Sequence, residues 1–233
     1  MFFDPLYLVM ILPALALAMW ASWATRSRFE RWAQVGNRRG ATGAQVARFI
    51  LDRAGLHHVR VVPAHGVLSD HYDPTQHVVR LSEPVFYGAS ISAMAVAAHE
   101  TGHALQHAKG YAPLALRSVA VPLASIGSNL GFFLIFLGFL LSFTELAWLG
   151  VILFGGTVLF QIITLPVELD ASRRAKEELS RYSLVTSDEE RRGVSAVLSA
   201  AAMTYVAAAL SSVLTLLYYV IRLGGMGDSR RSS

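Results

Sequence analysis

The chain has 233 residues, 54% of them hydrophobic, with a mean hydropathy of +0.45 and a formal net charge of +4. That composition belongs to a membrane protein; the basic residues flank apolar segments and nothing resembles a nucleic-acid module. Cysteine is absent, which excludes disulfides and Cys-ligated zinc, so any zinc here must be held by His and carboxylate.

Residues 6–24 form an apolar run long enough to span a bilayer. Asp4 precedes it, while Arg26, Arg28 and Arg31 follow. That charge order fits an uncleaved anchor over 1–25, with the following segment in the cytoplasm, better than a cleaved signal peptide. Pro13 would kink the helix mildly. Residues 26–40 read as a basic juxtamembrane connector. Thr42 then opens a short helix over 43–54, with Val46, Phe49 and Ile50 as its apolar stripe and Gly55 as its stop.

Residues 59–62 and 77–82 are short strand candidates, and Asp73-Pro74 between them signals a turn. A hairpin over 68–82 could take an extended peptide by strand addition or serve only as scaffold. His57, His58, His65, His71 and His77 show no paired ligand spacing and read as surface residues.

The chemistry is concentrated in Ala97-Ala98-His99-Glu100-Thr101-Gly102-His103-Ala104-Leu105. The pattern is H-E-x-x-H. On a helix, positions i and i+4 share a face, so His99 and His103 can offer two imidazoles to one ion. Glu100 is displaced to the side, where it can take a proton from water. Ser90 or Ser92 caps the expected helix and Gly110 ends it. The bland alternative is a surface helix with two solvated histidines. His107 continues the same strip, but about 12 Å of helix rise separates it from His99, so one ion cannot take all three. Gln106 and Lys109 stand where the metzincin pattern needs Gly and His, which excludes that class.

Residues 114–141 and 146–165 are two further apolar spans joined by a short segment without basic residues. They read as a hairpin, 114–166, that returns the chain to the side of His99. The first acidic residue at that return is Glu168, the candidate third ligand. Asp170, two residues on, is expected to face away from Glu168, with interfacial solvation or support of the site as its alternatives. A charged segment, 167–193, follows, with a new helix start at Thr186 or Ser187. Residues 194–222 form a fourth span rich in Ala and Ser, which suits close helix packing, and 223–233 remain as a flexible tail. Tyr205 in that span reads as packing, with oxyanion stabilisation as the sharper alternative. Both termini are then outside. The expected architecture is mainly α and membrane-integral, with about four transmembrane helices and a small α+β zincin-like cytoplasmic domain, 26–113, carrying the motif helix.

Three stretches in order resemble the YugP-type family of bacterial membrane zinc metallopeptidases. They are Leu68-Ser69-Asp70-His71-Tyr72-Asp73-Pro74, the motif stretch through Gln106, and Leu165-Pro166-Val167-Glu168-Leu169-Asp170-Ala171-Ser172-Arg173-Arg174-Ala175. The likeness runs over nearly the whole chain and implies a neutral zinc metallopeptidase in the bacterial plasma membrane, with its active site facing the cytoplasm. More distantly the chain is similar to the HtpX and CAAX-prenyl endopeptidases, which carry an Asp four residues after the ligand Glu. Here that position is Ser172, whose hydroxyl can still hydrogen-bond a ligand His, though more weakly.

The expectation is therefore a membrane zinc endopeptidase. One Zn2+ per chain is held by His99, His103 and Glu168, with Glu100 as general base. Its partners are a protein or peptide substrate and the lipid bilayer. The rival readings are a zinc-binding membrane scaffold without catalysis and a site-2-type intramembrane protease.

Overall fold

The computed structural model describes residues 4–66 and 69–231, with side chains up to Gly225. The chain is mainly helical and carries one small sheet. Among the described residues four helical stretches are long and apolar enough to cross a membrane: Pro5–Ala33, Ala112–Leu140, Thr144–Arg181 and Asp188–Gly225. The described residues divide into two compact units. One gathers the residues up to Trp20, Ala115–Pro166 and those from Tyr205 onward; the other comprises Ala21–Leu114 and Val167–Thr204.

The second unit is built around helix–sheet packing. α1 (Pro5–Ala33) contributes its last turns. The sequence placed a connector from residue 26, yet the helix runs on to Ala33. Two contacts explain this: Arg26 pairs with Glu30 one turn on, and the Trp32 ring packs over Gly193, where an added Cβ would lie 2.7 Å from it. α2 (Gly43–Arg53) starts at a full capping box. Thr42 accepts from the Gln45 N–H at 3.2 Å, and the Gln45 side chain accepts from the Thr42 N–H at 2.9 Å. Its buried face is Val46, Ala47, Ile50 and Leu51; Phe49 lies beside it, edge-on to Tyr182. Gly55 stops the helix with φ +72°, a conformation costly for residues with a Cβ.

The sheet holds β1 (Arg60–Ala64), β2 (His71–Asp73) and β3 (Val78–Ser82) in the order β1-β3-β2. β2 and β3 form the expected antiparallel hairpin, with Tyr72 opposite Val79, while β1 runs parallel to β3. The hairpin was expected from Leu68, which falls outside the described residues, so it is followed here from Ser69. Asp73 organises the turn by accepting from the Thr75 and Gln76 N–H groups. β3 buries Val79 and Leu81 on a core shared with Met94, Ala97 and Ala98, and Val78 is buried as well. α3 (Glu83–Phe86) is a single turn. α4 (Ile91–Ala108) begins where Ser90 accepts from the Ala93 N–H and ends before Gly110, as its sequence signals require.

In the first unit, α5 (Ala112–Ile126) and α6 (Phe132–Leu140) are joined by a π-helical segment, Gly127–Gly131, at the break that Pro122, Gly127, Ser128 and Asn129 mark in the sequence. α7 (Thr144–Arg181) returns antiparallel after a turn at Ser142. Glycines set their spacing: a Cβ at Gly138 would lie 2.5 Å from the Ala147 nitrogen, and one at Gly150 2.6 Å from the Ile135 nitrogen.

α8 (Asp188–Arg231) carries the fourth apolar stretch. Its first turn is a second capping box built on Ser187 and Glu190. Glu190, ahead of the apolar run that begins at Val194, is 2% exposed and accepts from the Arg38, Thr186 and Ser187 N–H groups and from the Thr186 hydroxyl. Burial pushes its carboxyl up, but these donors outweigh burial and hold it down at about 2. A depressed folded value means the stabilisation is present above about pH 4.3 and is lost as pH falls through about 2. Glu190→Gln should therefore destabilise the fold near neutrality, by roughly 1–3 kcal/mol, the usual range for a lost charged hydrogen-bond acceptor. In detergent its melting temperature should lie below wild type at pH 7, and the two curves should converge on acidification. A gap independent of pH between 7 and 3 would contradict this account.

Candidate metal centre

The site is assembled from α4 and α7. Helical spacing places His99 and His103 one turn apart on α4, with ring centroids 4.8 Å apart and planes nearly perpendicular. Both helices approach closely because α4 carries Gly102 between them. A Cβ there would lie 2.6 Å from the Ala171 carbonyl oxygen of α7. Just before that crossing, α7 presents Glu168, 2% exposed. Its Oε2 lies 3.2 Å from His99 Nε2 and 3.5 Å from His103 Nε2. One donor atom from each of the three residues falls within 4.8 Å of the others, and together they could hold a metal ion.

The donor set fits zinc. Two imidazole nitrogens and one carboxylate oxygen are zinc ligands, and the separations from Glu168 match the ~3.3 Å edge of a tetrahedron with zinc–ligand bonds of about 2.0–2.1 Å. Among the described residues no fourth His, Asp or Glu joins the group.

The electrostatics are those of a charged cluster removed from water. Burial pushes the Glu168 carboxyl up, but hydrogen bonds from His103 and His99 outweigh it and hold it well below the usual carboxylate range. Burial pushes His103 down, and its contacts with Glu168 reverse the sign. Glu100, next to His99, is buried, and burial raises its carboxyl above the ordinary range. Such a group holds a proton more firmly than an exposed carboxylate does, which suits an acid–base role.

The surrounding contacts hold the two imidazoles in place. Ser172 Oγ lies 3.1 Å from His99 Nδ1, the contact its position four residues after Glu168 makes available. His103 Nδ1 lies 3.0 Å from Gln106 Oε1. The Gln106 amide donates to the Val167 carbonyl at 2.8 Å and to Asp170 Oδ2 at 2.9 Å. Asp170 accepts in turn from Arg174 Nε at 2.6 Å and from Arg173. Asp170 is thus outside the donor group but beside it, in the supporting role. Gln106 entered the sequence reading only as a residue that breaks the metzincin pattern. Its signal was its position three residues after His103, on the same helix face.

The other histidines lie elsewhere. His57 contacts Asp52 and His65 lies near Glu83. His71 contacts the Ser69 carbonyl, while His77 stacks on His107, which also meets the Tyr72 hydroxyl. Tyr205 belongs to the other unit.

The chain matches the family described as "Putative neutral zinc metallopeptidase" over residues 7–224. It is 50% identical over 216 residues to the "Putative membrane protease YugP" of Bacillus subtilis (strain 168), an alignment covering 93% of this chain and 96% of that relative. No solved structure matches. The chain belongs to this zinc metallopeptidase family.

The crossing makes a test of the geometry. Gly102→Ala should force α4 away from α7, at a cost of about 2 kcal/mol. Its zinc content after purification should fall well below wild type. Unchanged zinc and an unchanged melting temperature would show that the close approach is dispensable.

Proposed function

We propose that this protein is a membrane-integral zinc endopeptidase acting on membrane or membrane-proximal proteins at the cytoplasmic face. The observation that carries the reading is the convergence of His99, His103 and Glu168, with Glu100 buried beside them, in a chain of this family. His99, His103 and Glu168 would hold one zinc ion per chain. A bound zinc ion would polarise the scissile carbonyl and lower the pKa of water toward ~7.

Glu100 supplies the proton traffic. It follows His99 directly and so points to the side of the donor face, where it accepts the proton of the attacking water and delivers it to the leaving amine. Gln106 and Ser172 keep the imidazoles oriented. β2 is an edge strand whose Tyr72 meets His107 of α4, so an extended peptide pairing with that edge would run alongside the helix that carries Glu100. Three protein donors favour catalysis over a closed structural site, which takes four.

The cytoplasmic orientation rests on charge. Sixteen of the twenty Lys and Arg residues lie in 26–113 and 167–193, the two segments that contribute the site.

Zinc content and peptide hydrolysis by detergent-purified protein test the proposal. Wild type should hold about one zinc per chain. Glu100→Gln should keep the metal while hydrolysis falls by ~10²–10⁴-fold. Glu168→Ala should lose most of the zinc. A Glu168→Ala protein that loads like wild type would remove the third ligand from the site. Chelation should abolish hydrolysis, and added zinc should restore it; activity that survives complete metal removal would sink the peptidase mechanism.

A further inference from the structure

Gln106 sits at the centre of the site's support and is fully buried, at 0% exposure. Its carboxamide has two distinguishable ends. The oxygen faces His103 Nδ1, and the nitrogen faces two acceptors on α7, the Val167 carbonyl and Asp170 Oδ2. The opposite orientation of the amide would set its oxygen against both acceptors, one of them a carboxylate. Asp170 therefore fixes which end of Gln106 meets His103. An amide oxygen can only accept, so His103 Nδ1 must carry a proton. The other nitrogen, Nε2, is the one 3.5 Å from Glu168. A neutral His103 protonated at Nδ1 leaves the Nε2 lone pair directed at the donor group.

His99 has no such instruction. Its Nδ1 meets the Ser172 hydroxyl, which can donate or accept and so permits either tautomer. The two histidines are not equivalent: one is set by a rigid amide and the other is merely held in place.

We propose that Gln106 is a positioning residue of the metal centre, selecting the His103 tautomer through an amide whose orientation is imposed by Asp170 of α7. The proposal rests on the zinc-peptidase reading above. Asp170 is itself anchored by Arg174, which lies 5.6 Å above the Tyr111 ring. A chain of polar contacts thus makes His103 a competent ligand only when α7 is docked in register. The contact is worth protecting because no water reaches a fully buried amide to replace a lost partner.

The test is zinc affinity of the full chain in detergent, by competition with a chromophoric chelator, alongside the melting temperature of the metal-free protein. Gln106→Leu fills the space but offers no acceptor, and should weaken zinc binding by about 10–100-fold. Gln106→Glu keeps an acceptor for His103 but sets a second carboxylate oxygen against Asp170, and should also bind weakly. Adding Asp170→Ala to Gln106→Glu removes that repulsion and releases the Arg174 donor, which Asp170 otherwise holds, to meet the new carboxylate, and should recover at least ten-fold of the lost affinity. Recovery of this kind reports on hydrogen-bond polarity, which a purely structural role would not produce. Gln106→Leu with wild-type affinity overturns the proposal. So does a double variant no better than Gln106→Glu alone, whatever the melting temperatures. Either result leaves the zinc-peptidase reading standing if wild type loads stoichiometrically; a wild type that takes up no zinc overturns both.

Discussion

Everything in the candidate site depends on how closely α4 approaches α7. The absence of a Cβ at Gly102 lets the helix of His99 and His103 rest on the Ala171 backbone of α7. With that spacing, Glu168 on one side of the crossing reaches both imidazoles, and Asp170 reaches Gln106. One extra methyl group at the contact would displace backbone atoms, because the atom it meets is a carbonyl oxygen and not a flexible side-chain end. The donor group is a consequence of this packing more than of any one ligand.

The packing also decides the charge balance. Taking a carboxylate such as Glu168 out of water is unfavourable by several kcal/mol unless it is paired and hydrogen-bonded. Here two imidazoles face it at 3.2 and 3.5 Å, and their hydrogen bonds outweigh burial and hold its carboxyl well below the usual range.

Much of this was legible in the sequence because the decisive signals were local. The i, i+4 spacing of His99 and His103, the caps at Thr42 and Ser90, the stops at Gly55 and Gly110, and the turn at Asp73 each specify geometry within a few residues. Glu168 was reached by a longer argument, from the return of the chain after two apolar spans, and it does lie against the histidines. What escaped were contacts whose partners are distant. The extension of α1 to Ala33 depends on Trp32 meeting Gly193. The role of Gln106 depends on Val167 and Asp170, more than sixty positions away. Asp170 was expected to face away from Glu168, and it does leave the donor group. The i+2 argument said nothing of what it would face instead.

The site's composition from two distant segments has a consequence for how it forms. Ala21–Leu114 supplies two imidazoles and a buried carboxyl; Val167–Thr204 supplies the third donor and the group that orients Gln106. The first segment alone would hold metal weakly, with two ligands and an untethered Gln106. Only when Val167–Thr204 docks do the third donor and the group that orients Gln106 arrive, and both are carried by one turn of α7, from Val167 to Asp170. A full donor set therefore coincides with correct docking of that turn. The donor group is incomplete in any chain whose second segment has not yet folded onto the first.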